Sequence, residues 1–188
     1  MSRFANALHS TVPRPCYGRP FVCDGLAEKC VALVIGENPA TEVGIDWWSY
    51  WDDATGFQFS KWRSDYKKSR GERGASNTRL RLDRLRLRGV RCLETNVFAN
   101  ERPDGPGIGM SNDSLLHIAL ETLPNISFVI AHGDTAKDYV RSQAFPSHIR
   151  EVFELRHFRI ESYANIDRVA NEILAEGETI KIHTDAAQ

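Results

Sequence analysis

A chain of 188 residues with 41% hydrophobic content is long enough to bury one sizeable core and short for two domains of ordinary size, so a single domain over 1–188 is expected. Its apolar residues fall in runs of four to eight, which excludes a membrane-spanning helix, and Met1 to His9 lacks the long apolar block of a secretory signal, which points to the cytoplasm. The formal net charge of −1 hides an asymmetry: from Lys61 to Arg91 twelve bases stand against three acids, a balance of +9, while the rest of the chain carries −10. That layout fits either a local phosphate-binding surface or a solvated basic helix face.

Residues 1–28, with Pro13, Pro15 and Pro20, read as an irregular lead-in. Cys30-Val-Ala-Leu-Val-Ile-Gly36 is a continuous apolar run ending in glycine, the pattern of a parallel strand covered on both faces. Residues 37–78 read as a long loop with four Trp and two Tyr in its first thirty positions. A helix is expected next, capped by Asn77 or Thr78, with Leu80, Leu82, Leu85 and Leu87 set among arginines and Gly89 as its stop.

Val90 to Ala99 is a second strand. After the turn-rich segment 100–109, Ser111 is placed to cap a helix with Leu115, Leu116, Ala119 and Leu123 on its apolar face. Ser127 to His132 is a third strand, Asp134 to Gln143 a helix capped by Asp134, Val152 to Leu155 a fourth strand, and Asn165 to Ala175 a final amphipathic helix. Strands alternating with helices predict a three-layer α/β/α domain around a mainly parallel four-stranded sheet. The cysteines Cys16, Cys23, Cys30 and Cys92 form no C-x-x-C pair and read as reduced thiols.

On such sheets ligands bind at the carboxyl ends of the strands. That rule nominates Glu37 and Asn38 after the first strand, Asn96 at the second, His132 and Asp134 at the third, and His157 after the fourth. The six histidines are scattered and no phosphate-cradling glycine loop occurs, so neither a metal nor an organic cofactor is indicated. His132 reads as structural.

Val34-Ile35-Gly36-Glu37-Asn38-Pro39 resembles the strand followed by G-x-[ND]-P that opens the site of the uracil-DNA glycosylase superfamily, especially its mismatch-specific and single-strand-selective branches. Thr55-Gly56-Phe57-Gln58-Phe59 is similar to the segment that supplies that family's base-stacking ring, and Thr95-Asn96-Val97 to the strand whose Asn reads the base edge. Ala131 to Ala136 resembles its G-x-x-A turn. His157 falls where the family places the His of its closing motif, although Arg156-His157-Phe158-Arg159-Ile160 lacks that motif's Pro and Ser.

The resemblance implies a DNA repair glycosylase that hydrolyses the N-glycosidic bond of uracil or a related deaminated or damaged base, on single-stranded DNA or an extruded nucleotide. Asn38 would position the attacking water, with Glu37 as an alternative base. His157 would donate to the departing base, Asn96 would read its edge beside Gly36 and Pro39, and Phe59 would stack on its face. Lys61, Arg63, Lys67 and Lys68 would contact DNA phosphates. Two other classes stay open: a binding module for nucleic acid or nucleotide that has lost the chemistry, and a hydrolase of free nucleosides.

Overall fold

In a computed structural model, which describes residues 1–39, 41, 43–99 and 112–185, the chain opens on a helix rather than on irregular structure. Helix α1 (Arg3–Thr11) is capped by Ser2, whose hydroxyl accepts from the Ala5 N–H. Its Phe4 and Leu8, spaced four apart on one face, are buried. A short 3₁₀ turn (Ala27–Lys29) leads into β1 (Ala32–Gly36), buried at every position.

The stretch expected to be a long loop is largely ordered structure. A 3₁₀ turn (Trp47–Tyr50) precedes a small antiparallel hairpin of β2 (Trp51–Asp52) and β3 (Gly56–Phe57), and helix α2 (Phe59–Arg70) follows. Only Trp62 and Tyr66, again four apart, are buried on α2, so its sequence carries little apolar periodicity to announce it. The tryptophans are core residues held by their indole N–H groups: Trp47 donates to the Phe21 carbonyl at 2.7 Å and Trp48 to that of Pro13 at 2.8 Å.

Helix α3 (Asn77–Leu87) is capped by the Ser76 hydroxyl, one residue earlier than Asn77. It precedes β4 (Cys92–Asn96), and helix α4 (Asn112–Thr122) leads to β5 (Phe128–His132). The expected cap at Ser111 lies outside the described residues. Helix α5 (Asp134–Arg141) starts from Gly133 at φ +87°, with Asp134 in its first turn rather than capping it. Strand β6 (Glu151–Leu155) and helix α6 (Tyr163–Asp185) complete the fold. The Ser162 hydroxyl, accepting from Asn165 N–H, starts α6 two residues earlier than the sequence suggests.

The strands form one parallel sheet in the order β4-β1-β5-β6. Strand alternation divides the core. Leu33, Ile35, Leu93 and Val129 face a layer holding α1, α4, α5 and the tryptophan segment, whereas Ala32, Val34, Phe128 and Ile130 face α3 and α6. Two helical layers thus enclose the sheet, as the alternating pattern predicted. The lead-in does wrap the domain: Val22 pairs antiparallel with Glu94, N–H to carbonyl in both directions at 2.8 and 2.9 Å, covering part of the β4 edge. No helix among the described residues is long and apolar enough to cross a membrane.

Candidate functional site

Strand order fixes where a site can form. From β1 the chain runs through the tryptophan segment, α2 and α3 to β4 on one side, while from β5 it runs through α5 to β6 on the other, so the connections leave β1 and β5 in opposite directions and open a crevice between their carboxyl ends. A solvent-open cleft of about 80 Å³ lies there, lined by Asn38, Asn96, His132 and His157, with Tyr66, Arg79 and Glu94 in its wall. The sheet thus brings together Asn38, Asn96 and His157 from three separate strand ends.

Gly36 makes the close approach possible. A Cβ at this position would stand 2.8 Å from the His132 Nε2 and 3.0 Å from the Asn96 Oδ1, closer than real side chains pack. Gly133 serves the neighbouring residue in the same way, since its φ of +87° suits only glycine well and a Cβ there would press on the His157 ring at 3.1 Å.

Both imidazoles are held in one tautomer. The Arg159 N–H donates to His157 Nδ1 at 3.0 Å, and the Phe158 N–H is directed at His132 Nδ1 at 3.5 Å. A nitrogen that accepts from a backbone N–H cannot carry a proton in the neutral ring, so each neutral imidazole bears its hydrogen on Nε2. Burial, assisted by the neighbouring His157, pushes the His132 pKa down to about 3. Burial and Arg159 also lower that of His157, with Glu37 opposing them. His132 lies flat on Phe158 at 4.1 Å and edge-on to His157 at 5.3 Å, so it orders the His157 segment as well as facing the cleft.

The wall is ionic. Arg79, 3% exposed, grips both Glu94 oxygens at 2.7 Å and Asp83 at 2.9 Å, and Arg86 reaches Glu94 at 2.5 Å. Burial alone would raise the Glu94 pKa, but Arg79 and Arg86 outweigh it and hold it at about 2. Arg63 pairs with Asp83 at 2.7 Å, and Arg19 also lines the cleft near Glu94. Four guanidiniums surround two carboxylates, leaving an excess of positive charge beside the cleft.

Several of the expected residues stand outside the cleft lining. Phe59 is not among the residues lining the cleft: its ring is half-buried, packs against Trp62 at 5.6 Å and has the Arg86 guanidinium 3.8 Å from its centre. The aromatic side chain that does border the cleft is Tyr66. Pro39 lines a separate apolar pocket with Trp47 and Trp62 rather than the cleft. The Asp134 carboxylate, 92% exposed, pairs with Lys137 instead of entering the site. Glu37 is half-buried beside His157 and is not among the cleft-lining residues.

The basic segment is also largely spoken for. Besides Arg63, Arg79 and Arg86, Arg84 makes a two-pronged contact with Asp167 at 2.7 Å and Lys68 pairs with Asp65 at 2.8 Å. Lys61 donates to the Ser49 carbonyl at 2.7 Å. Lys67 is exposed at the C-terminal end of α2, where Arg70 reaches Thr41 on the cleft rim at 3.2 Å. Among the described residues no group of three or more His, Cys, Asp or Glu is arranged to hold a metal ion.

Comparison with protein-family models gives no match, and no curated protein or solved structure matches the chain. The functional reading therefore stands on the geometry of the cleft and on the motif resemblance.

Proposed function

We propose that the cleft receives a nucleobase and that the protein hydrolyses the N-glycosidic bond of uracil or a related deaminated base in DNA. The supporting observation is the convergence of Asn38, Asn96 and His157 around Gly36 at the crevice beside β1. A glycosylase must take its base out of the stack and read its polar edge, at a cost lowest for single-stranded or mismatched bases. Asn96 supplies an amide for that edge. Asn38 positions the water that attacks C1' of the sugar, and His157, neutral with its hydrogen on Nε2, donates a hydrogen bond to the base oxygen on which negative charge develops. The surplus of guanidiniums behind the cleft favours the same charge.

The test is a labelled single strand carrying one uracil, treated with alkali after incubation. Cleavage that is lost in Asn38→Ala is expected; no cleavage of this strand, nor of strands bearing hypoxanthine, xanthine or mismatched uracil, sinks the proposal.

A second reading, hydrolysis of free nucleosides at the same cleft, is favoured by one observation. The bases expected to hold DNA phosphates are mostly engaged in internal ion pairs and carbonyl contacts. Release of base from uridine or inosine, with no salt-dependent retention of DNA, would select it.

A further inference from the structure

At the opposite, amino end of the sheet lies a second concavity of about 790 Å³, open to solvent, that the cleft chemistry does not use. It is formed where the chain enters the strands: Val31 precedes β1, Arg91 precedes β4, and Arg150 precedes β6. Its charged lining is of one sign. Lys29, Arg91 and Arg150 contribute exposed cations, and among the described residues no acidic side chain lines it. Arg91 is tied at 3.2 Å to the Asp24 carbonyl, a neutral partner that leaves its charge uncompensated.

His148 is part of the same wall, and its Nε2 is shielded from solvent yet has no hydrogen-bond partner. That nitrogen lies behind the wall and not on its surface, so His148 reports on the bowl without itself contacting a molecule held there. Half-buried Val31 and Leu174 supply apolar surface beside the charges.

We propose that this basal bowl is a binding site for a phosphorylated small molecule, its phosphate oxygens held by Arg91, Arg150 and Lys29 and its body resting against Val31 and Leu174. Guanidinium forks match phosphate oxygens two at a time, and several cations drawn from separate segments suit a multiply charged anion better than a single carboxylate. Arg91 and Arg150 border the concavity from the two outer strands, β4 and β6, with Lys29 before β1 between them, an arrangement that suits a ligand carrying more than one anionic group. The site stands independently of the reading of the cleft, since it lies at the other end of the strands and shares no residue with it.

Inorganic pyrophosphate is the probe, titrated into the full chain at low salt and followed by calorimetry and by the imidazole resonances of His148. Saturable binding that shifts His148 is expected. The charge reversal Arg91→Glu with Arg150→Glu, both at exposed positions, should weaken it at least about tenfold, while Arg3→Glu with Arg73→Glu, an equal change in net charge elsewhere, should leave it intact. The His148 shift in the unaltered protein keeps the test decisive if the reversal fails to fold. Absence of saturable binding, equal loss in the control variant, or displacement of pyrophosphate by a short oligothymidylate overturns the proposal.

Discussion

The His132 Nε2 stands 2.8 Å from the point a Cβ on Gly36 would occupy, so the last residues of two parallel strands touch with no room for even a methyl group. Gly36→Ala must therefore displace the imidazole or spread β1 from β5. Overpacking of this kind costs about 1–3 kcal/mol, and it disturbs the cleft floor that His132 and Asn96 share beside Gly36. The expected result is a lower urea midpoint together with strongly reduced cleft activity. An alanine variant with unchanged stability and unmoved His132 resonances would contradict the close approach.

The same histidine sets an acid limit on stability. Its folded pKa of about 3 lies below the ordinary value of 6.5, so the unfolded chain binds a proton in that window that the folded chain refuses. Stability is then fully present above pH 6.5 and declines as pH falls toward 3, at about 1.4 kcal/mol per pH unit. Glu94, held at about 2 against 4.5, adds a loss of the same sign below pH 4.5. Between pH 6.5 and 5 urea unfolding should lose about 2 kcal/mol from His132, and His132→Gln should flatten that slope. An equal slope in the variant would refute the assignment.

The sequence disclosed the sheet better than the site wall. Cys30 to Gly36 is legible because a strand covered on both faces must be apolar throughout, and the strand ends then nominate Asn38, Asn96 and His157. Helix α2 was hidden because it buries only Trp62 and Tyr66 and otherwise reads as polar. Helix α1 had a readable signal in the spacing of Phe4 and Leu8, outweighed by the prolines that follow it. For Phe59 a motif gives the order of residues but not that the Arg86 guanidinium sits 3.8 Å from the ring. Glu94 offered the overlooked clue: a carboxylate inside a buried strand needs a cation, and Arg79 and Arg86, on the preceding helix, supply it.

Pairing within the basic segment separates residues that composition treats alike. Arg63 is bound to Asp83, whereas Lys67 is exposed. Lys67→Ala should leave stability unchanged and, if a single strand is the substrate, lower the slope of log affinity against log salt by about 0.7 for each lost phosphate contact. Arg63→Ala should do the reverse, reducing stability with little effect on the slope. Equal slope changes for the two variants would mean that Arg63 leaves Asp83 to contact the strand.

Phe59 separates two roles directly, because stacking and packing predict different readouts. Its ring is fixed between Trp62 and the Arg86 guanidinium, and Arg86 also reaches Glu94. Phe59→Leu keeps an apolar side chain but removes the flat surface under Arg86, which should cost about 1–2 kcal/mol of stability. A residue that stacked on the base would instead contribute about 1–3 kcal/mol to binding, so its loss would raise KM or the strand Kd with stability unaltered. We expect the melting temperature to fall and ligand affinity in the cleft to hold. Lost affinity at unchanged melting temperature would return Phe59 to the base-binding surface.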